Sequence, residues 1–142
     1  MSDNLVLIDT NIIVYAINDS SPKQTKAQNF LQNCVGSGVI AHQNIFEALR
    51  VLTHNKFSYP MQPVDAITAI NNVINNFHII APDYGAHDIA LALVKKHELI
   101  GDKVFDAYLA ATAIASGIKT IASDNVKDFV KFESIAVINP FD

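Results

Sequence analysis

Four acidic residues stand where a carboxylate is costly. Asp9 interrupts the apolar stretch LVLIDTNIIVYA (residues 5–16), Glu47 sits inside NIFEALRVL (44–52), Asp106 inside DKVFDAYLAATAIA (102–115), and Asp124 follows the apolar run TIAS (120–123). A carboxylate among apolar neighbours loses hydration, and only a cation or a set of donors makes up for it. Protein cations are scarce nearby: Arg50, the single arginine, lies three residues past Glu47, and Lys103 lies three before Asp106. Such a surplus of oxygen donors suits a hard divalent ion, Mg2+ or Mn2+, and Mg2+ keeps waters while using one or two carboxylates directly. The chemistry implied is that of a metal centre. Each acid also has a plainer role open to it. Asp9 and Asp124 can cap the helices that follow, Glu47 can pair with Arg50, Asp102 and Asp106 suit the N-terminus of their helix, and Asp128 can be an exposed helix acid.

No rival constellation competes with the acids. No two of the five histidines are spaced three or four apart, and a single cysteine leaves no zinc signature. His54, His87 and His97 read as helix-surface residues, while His42 follows a strand and can approach the acids. Cys34, beside Phe30 and Leu31, reads as a buried, inert thiol. GSG at 36–38 is a turn signal that lacks the further glycines or the Gly-Lys-Ser/Thr of a phosphate cradle.

The elements that must position the acids follow from periodicity. Five short runs rich in valine and isoleucine, Leu5–Ile8, Val39–Ala41, His78–Ala81, Lys119–Ala122 and Ile135–Ile138, read as strands. Between them apolar residues recur every three or four positions. One such helix opens at Ser21 and Pro22, a second is marked by Ile45, Leu49 and Leu52, and others span 63–74, 86–94 and 104–115, the last closed by Gly117. Strands alternating with helices predict an α/β fold, a mainly parallel five-stranded sheet with helices on both faces. Ligands of such sheets bind beyond the carboxyl ends of the strands, where strand order reverses. Asp9 follows the first strand and Asp124 the fourth, so both can reach one edge.

A length of 142 residues bounds the chain to one domain, spanning 1–142. Apolar runs are broken within about ten residues, short of the ~20 that cross a bilayer. The opening MSDN lacks the basic segment of a secretory signal, so a soluble, cytoplasmic protein is expected. A net charge of −4 argues against a broad basic surface for duplex nucleic acid. It leaves open a nuclease whose site is acidic because it holds a cation.

In order and spacing, these segments resemble the PIN-domain family of metal-dependent ribonucleases, and especially the VapC-type toxins of toxin–antitoxin pairs. LIDTNIIVYA resembles the family's opening strand and Asp-Thr/Ser-Asn/Ser turn. NIFEALRVL, FDAYLAATAIASG and TIASDNVKDF look like the elements with the second, third and fourth acids, and VINPF is similar to a common ending. The resemblance covers essentially the whole chain. Residue by residue, it implies that Asp9, Glu47, Asp106 and Asp124 are the catalytic, metal-binding acids, with Thr10, Asn11 and Ser123 in support. The fourth motif departs from the family's usual form, and Asp128 can share or take the role of Asp124. The resemblance further implies Mg2+, with Mn2+ able to replace it, and endonucleolytic cleavage of single-stranded or looped RNA. A cognate antitoxin and a homodimer are implied as well. Lys23, Lys26, Lys103 and Lys127 are candidate phosphate contacts. A DNA-directed nuclease and a non-catalytic binding module stand as alternatives. An aspartate-based phosphatase, which needs a second Asp where Asn11 stands, is a minor one.

Overall fold

The structure, a computed structural model, describes residues 4–142; residues 1–3, most of the opening read above against a secretory signal, lie outside the described residues. The elements run β1 (Val6–Ile8), α1 (Thr10–Ile17), α2 (Gln24–Asn33), β2 (Gly38–Ala41), α3 (His42–Thr53), α4 (Pro63–Ile74), β3 (His78–Ile80), α5 (Ala86–His97), α6 (Lys103–Ala115), β4 (Thr120–Ala122), α7 (Val126–Phe129) and β5 (Ala136–Ile138). All four strand pairings are parallel, in the order β3-β2-β1-β4-β5. The chain leaves β1 toward one side to build β2 and β3, then crosses to the other to build β4 and β5. The reversal of strand order therefore falls between β1 and β4, at the ends of which Asp9 and Ser123-Asp124 emerge.

Side chains alternate between two cores, as the pleat of a strand requires. Ile8, Ile40 and Ala122 pack with Ile12, Ile13, Leu31, Leu52 and Ile70 from the α1–α4 layer. Leu7, Val39 and Ile121 face the opposite way, onto Ala107, Leu109, Ala110, Phe129 and Phe132 beneath α6 and α7. Both faces of the sheet are thus covered, as expected of a parallel sheet. Gly38 marks a close approach at the start of β2: a Cβ there would come within 2.7 Å of the Phe77 ring and 2.9 Å of Ile8. The GSG signal thus ends in a packing requirement as well as a turn. Gly117, with φ of 75°, closes α6 in the left-handed region that glycine adopts freely.

Three expectations shift. Ser21 and Pro22 lie in the turn before α2, which starts at Gln24; the Ser21 hydroxyl accepts from the Lys23 N–H and its carbonyl from Gln24 N–H. The apolar run after Asp9 shows no helical period and reads as a helix only through Asp9 as its cap; it is helix α1, with Asp9 at its N-cap. Its Ile12, Ile13, Val14 and Ala16 are all buried, so packing outweighs the β preference of consecutive branched residues. The helix expected after Asp124 is the short α7, but its N-cap is Asn125, with no side-chain cap hydrogen bond, so Asp124 does not cap it. Among the described residues, no helix is long and apolar enough to cross a membrane.

Candidate metal centre

Asp9 is the residue on which the site is built. It leaves β1 through a backbone hydrogen bond to Ala122 of β4 and becomes the N-cap of α1. Its Oδ1 accepts from the Thr10 N–H at 2.8 Å, and its Oδ2 accepts from the Ser123 hydroxyl at 2.7 Å. Capping and site-building are therefore the same act. Ser123, fully buried, accepts in turn from the Asn125 N–H at 3.0 Å, which ties the β4 loop to the carboxylate. Asp9 is only 8% exposed, and burial pushes its pKa up to about 6. The hydrogen bonds from Ser123 and Thr10 oppose that rise, and the charges of Glu47 and Asp124 add to it.

Glu47 reaches the same place from α3. Its Oε1 accepts from the Thr10 hydroxyl at 3.0 Å and from Gln43 Nε2 at 3.4 Å. Asn44, fully buried, secures this arrangement: its Oδ1 accepts from the Ala41 N–H at 3.0 Å and its Nδ2 donates to the Thr10 hydroxyl at 3.2 Å. A line of donors thus runs from the end of β2 through Asn44 and Thr10 to Glu47. The pairing of Glu47 with Arg50 open in the sequence is not formed; among the described residues Arg50 makes no ion pair and borders the cavity instead. Asp106, half-buried on the first turn of α6, is also pushed up to about 6. Burial is the main cause, with the charges of Asp128 and Asp9 adding to it and Lys103 and Lys131 opposing it.

Asp9, Glu47 and Asp106 border one cavity of roughly 320 Å³, together with Thr10, Asn11, Tyr15, Arg50 and Asn125. Among the described residues, no three acidic, histidine or cysteine side chains close into a ready-made cage. The carboxylates surround space instead, which suits an ion that keeps part of its water shell. One orphaned atom fits the same group: the Asn11 side-chain oxygen is buried and accepts no hydrogen bond. Two carboxylates whose pKa burial raises to about 6, and an unpartnered amide oxygen in a residue bordering the same cavity, are oxygen donors of the kind a hard divalent cation takes.

Asp124 and Asp128 are placed differently, and neither borders the cavity. Asp124 is 10% exposed in its side chain. It accepts from Asn11 Nδ2 on Oδ1, and from the Tyr15 hydroxyl and Lys23 Nζ, both at 2.8 Å, on Oδ2. Lys23 Nζ also lies 4.9 Å from the Tyr15 ring centroid and 5.2 Å from that of Phe141. Its bond to Asp124 pushes the Lys23 pKa up, while burial and the Tyr15 hydroxyl's own bond to Asp124 raise that of Tyr15. Asp128 pairs with Lys103 at 3.1 Å. Lys23 and Lys103, read as phosphate contacts, are therefore both engaged with acids, and Lys26 Nζ reaches the Phe141 carbonyl. His42 does not approach the acids: it is exposed and borders a hollow with Phe46, Pro82 and Phe105. Cys34 is buried, and burial raises its thiol pKa, in line with an inert role.

Sequence reasoning missed Asn44, Tyr15 and Asn125. Asn44 lies one helical turn before Glu47 and Tyr15 one turn after Asn11, so helical spacing from each acidic motif was the available signal.

Fold and site together define a class: a parallel α/β domain that gathers carboxylates at the point where its strand order reverses. The chain belongs to the PIN domain family, whose model matches residues 6–133. In sequence, no curated protein matches it. Among solved structures it is similar to VapBC2 from Rickettsia felis, bound to a DNA fragment from their promoter. The identity is 19%, with a TM-score of 0.72 over 95% of this chain and 98% of that one. A toxin–antitoxin complex from Klebsiella pneumoniae is similar at 20% identity and a TM-score of 0.70, over 96% and 98% of the two chains. VapC20 of Mycobacterium tuberculosis, a sarcin-ricin loop cleaving toxin, is similar at 11% identity and a TM-score of 0.70, over 89% and 95%. At these identities the likeness is one of fold.

Proposed function

We propose that this chain is an Mg2+-dependent endoribonuclease that hydrolyses phosphodiester bonds of single-stranded or looped RNA, the toxin of a type II toxin–antitoxin pair acting in the cytoplasm. The observation that carries this reading is the convergence of Asp9, Glu47 and Asp106 on one cavity at the switch point of the sheet. When bound, the cation supplies an activated water and neutralises charge that develops on the phosphodiester. The chain's own residues hold and orient. Ser123 and the Thr10 N–H fix the Asp9 carboxylate, and Thr10 and Gln43 fix Glu47. Arg50, on the rim and free of any ion pair among the described residues, suits a phosphate oxygen of the substrate.

Membership of the PIN domain family supports a nuclease, and the toxin–antitoxin complexes among the structures of like fold support an antitoxin partner. The RNA substrate is supported by the sarcin-ricin loop cleaving toxin among them. For the homodimer, Phe46 of α3 (68% exposed) and Phe105 of α6 (55%) offer an apolar face bordering a common hollow.

The test is cleavage of labelled single-stranded RNA, hairpin RNA and DNA by the purified chain in Mg2+, Mn2+ or EDTA, beside Asp9→Asn. RNA cleavage that needs metal and disappears in the variant is expected. Preferential cleavage of DNA would assign a DNA-directed nuclease instead, and cleavage indifferent to EDTA or to Asp9→Asn would remove the metal centre from the mechanism.

A further inference from the structure

Asn11 and Asp124 divide a task that the acidic motifs alone would assign to Asp124. Asn11 Nδ2 donates to Asp124 Oδ1. A carboxylate only accepts, so the amide must present its NH2 group to Asp124 and turn its oxygen away. That oxygen is buried and accepts no hydrogen bond, in a residue that borders the cavity with Asp9, Glu47 and Asp106. Among the described residues the other such orphan is Gln43 Oε1, whose residue does not border this cavity. Buried acceptors are rarely left without a partner, and hard cations take amide oxygens as readily as carboxylates. The Asp124 carboxylate, by contrast, carries Asn11 on one oxygen and both Tyr15 and Lys23 on the other. Its charge is already balanced by the Lys23 ammonium.

We propose that the side-chain oxygen of Asn11, and not the carboxylate of Asp124, completes the oxygen set offered to the divalent cation, with Asp124 as the positioning residue that aims it. The proposal rests on the metal-centre reading above and deepens it. It divides the cavity's donors into three carboxylates and one neutral amide. The Asp124–Lys23–Tyr15 cluster becomes the fixture behind that amide.

The test is Mn2+ binding by titration calorimetry and by Mn2+-induced rise in melting temperature, with RNA cleavage by the unaltered chain measured in parallel. Asn11→Ala should weaken Mn2+ binding about tenfold or more, and Asp124→Ala should match it because the amide loses its anchor. The double variant should be no worse than either single one, since both remove the same ligand. Asp124→Asn has one oxygen to offer three donors, Asn11 Nδ2, the Tyr15 hydroxyl and Lys23 Nζ, and sets an NH2 group against one of them, so it too should loosen Asn11 and weaken Mn2+ binding. If Asn11→Ala does not fold, Asn11→Ser, which removes the amide oxygen and keeps a short polar side chain, carries the same expectation. Mn2+ binding undiminished in the Asn11 variants, or a double variant clearly weaker than either single one, would overturn the proposal, as would an unaltered chain that binds no Mn2+. Cleavage of RNA alongside either result leaves the nuclease reading standing. Conversely, Asn11-dependent Mn2+ binding without cleavage removes that reading and keeps the ligand assignment.

Discussion

The two acidic regions at the edge of the sheet differ in who balances their charge. Around Asp124 the protein does it: Lys23 Nζ, the Tyr15 hydroxyl and Asn11 Nδ2 occupy both carboxylate oxygens. Among the described residues, Asp9 and Glu47 receive only uncharged donors, Asp106 has Lys103 and Lys131 acting on it through charge without an ion pair, and Arg50 stays on the rim. Burial first, and then the charges of neighbouring acids, hold Asp9 and Asp106 near a pKa of 6. An acid with its own ammonium is part of the architecture; acids left in deficit are prepared for a cation from outside.

The largest effects should come from the deficient region. Asp9→Asn or Asp106→Asn should lower metal-dependent cleavage by at least about a hundredfold, measured as kcat/KM on one RNA, because each removes a charged ligand from a site that works as a unit. Next is Asn44→Ala, which cuts the line of donors to Thr10 and Glu47 and leaves the Ala41 N–H and Thr10 short of partners. A loss of about 1–3 kcal/mol in unfolding free energy is expected, read by denaturant titration.

The third effect is a gain. Asp9 binds its proton more tightly folded, near pH 6, than unfolded, near the ordinary 3.8. Between those values the metal-free folded chain holds more protons, so this carboxyl favours folding fully below about pH 4, loses that advantage as pH rises to 6, and changes little above. Asp9→Asn should therefore melt a few degrees higher than the unaltered metal-free chain at pH 7, by about 1–2 kcal/mol, with the difference vanishing near pH 4. Metal runs the other way: Mn2+ affinity of the unaltered chain should climb as pH rises through 6, because protons compete for the same oxygens.

Smaller effects belong to the balanced region and to the surface. Lys23→Met should cost about 1 kcal/mol or less, since the Lys23 side chain is 41% exposed and solvent screens the pair. Lys96→Met should leave melting unchanged, because its bond to Glu133 at 3.4 Å joins two well-exposed side chains. A Lys23 effect no larger than the Lys96 one would erase the contrast between a built fixture and a surface pair.

Most of the fold was legible because its helices carry clear periods and its strands are short runs of branched residues between turns. α1 was not, since Ile12, Ile13 and Val14 are consecutive, branched and all buried; its helical state is imposed by the sheet and by α2–α4 around it. The acids were legible by type, because a carboxylate in an apolar segment demands a reason. Their partners were not. Ser123 lies 114 positions from Asp9 and meets it through the adjacency of β1 and β4, while Lys23, 101 positions from Asp124, reaches it from the start of α2, which packs on α1. The sequence motif favoured Asp124 as the fourth acid, with Asp128 able to share or take its role; in space, Lys23 and Lys103 pair with one each.

The most direct test of the central claim is a crystal structure grown in Mn2+, with the ion located by its anomalous signal. The account expects a peak in the cavity bordered by Asp9, Glu47 and Asp106. A peak only beside Asp124 and Asp128, or none there at saturating Mn2+, would contradict it.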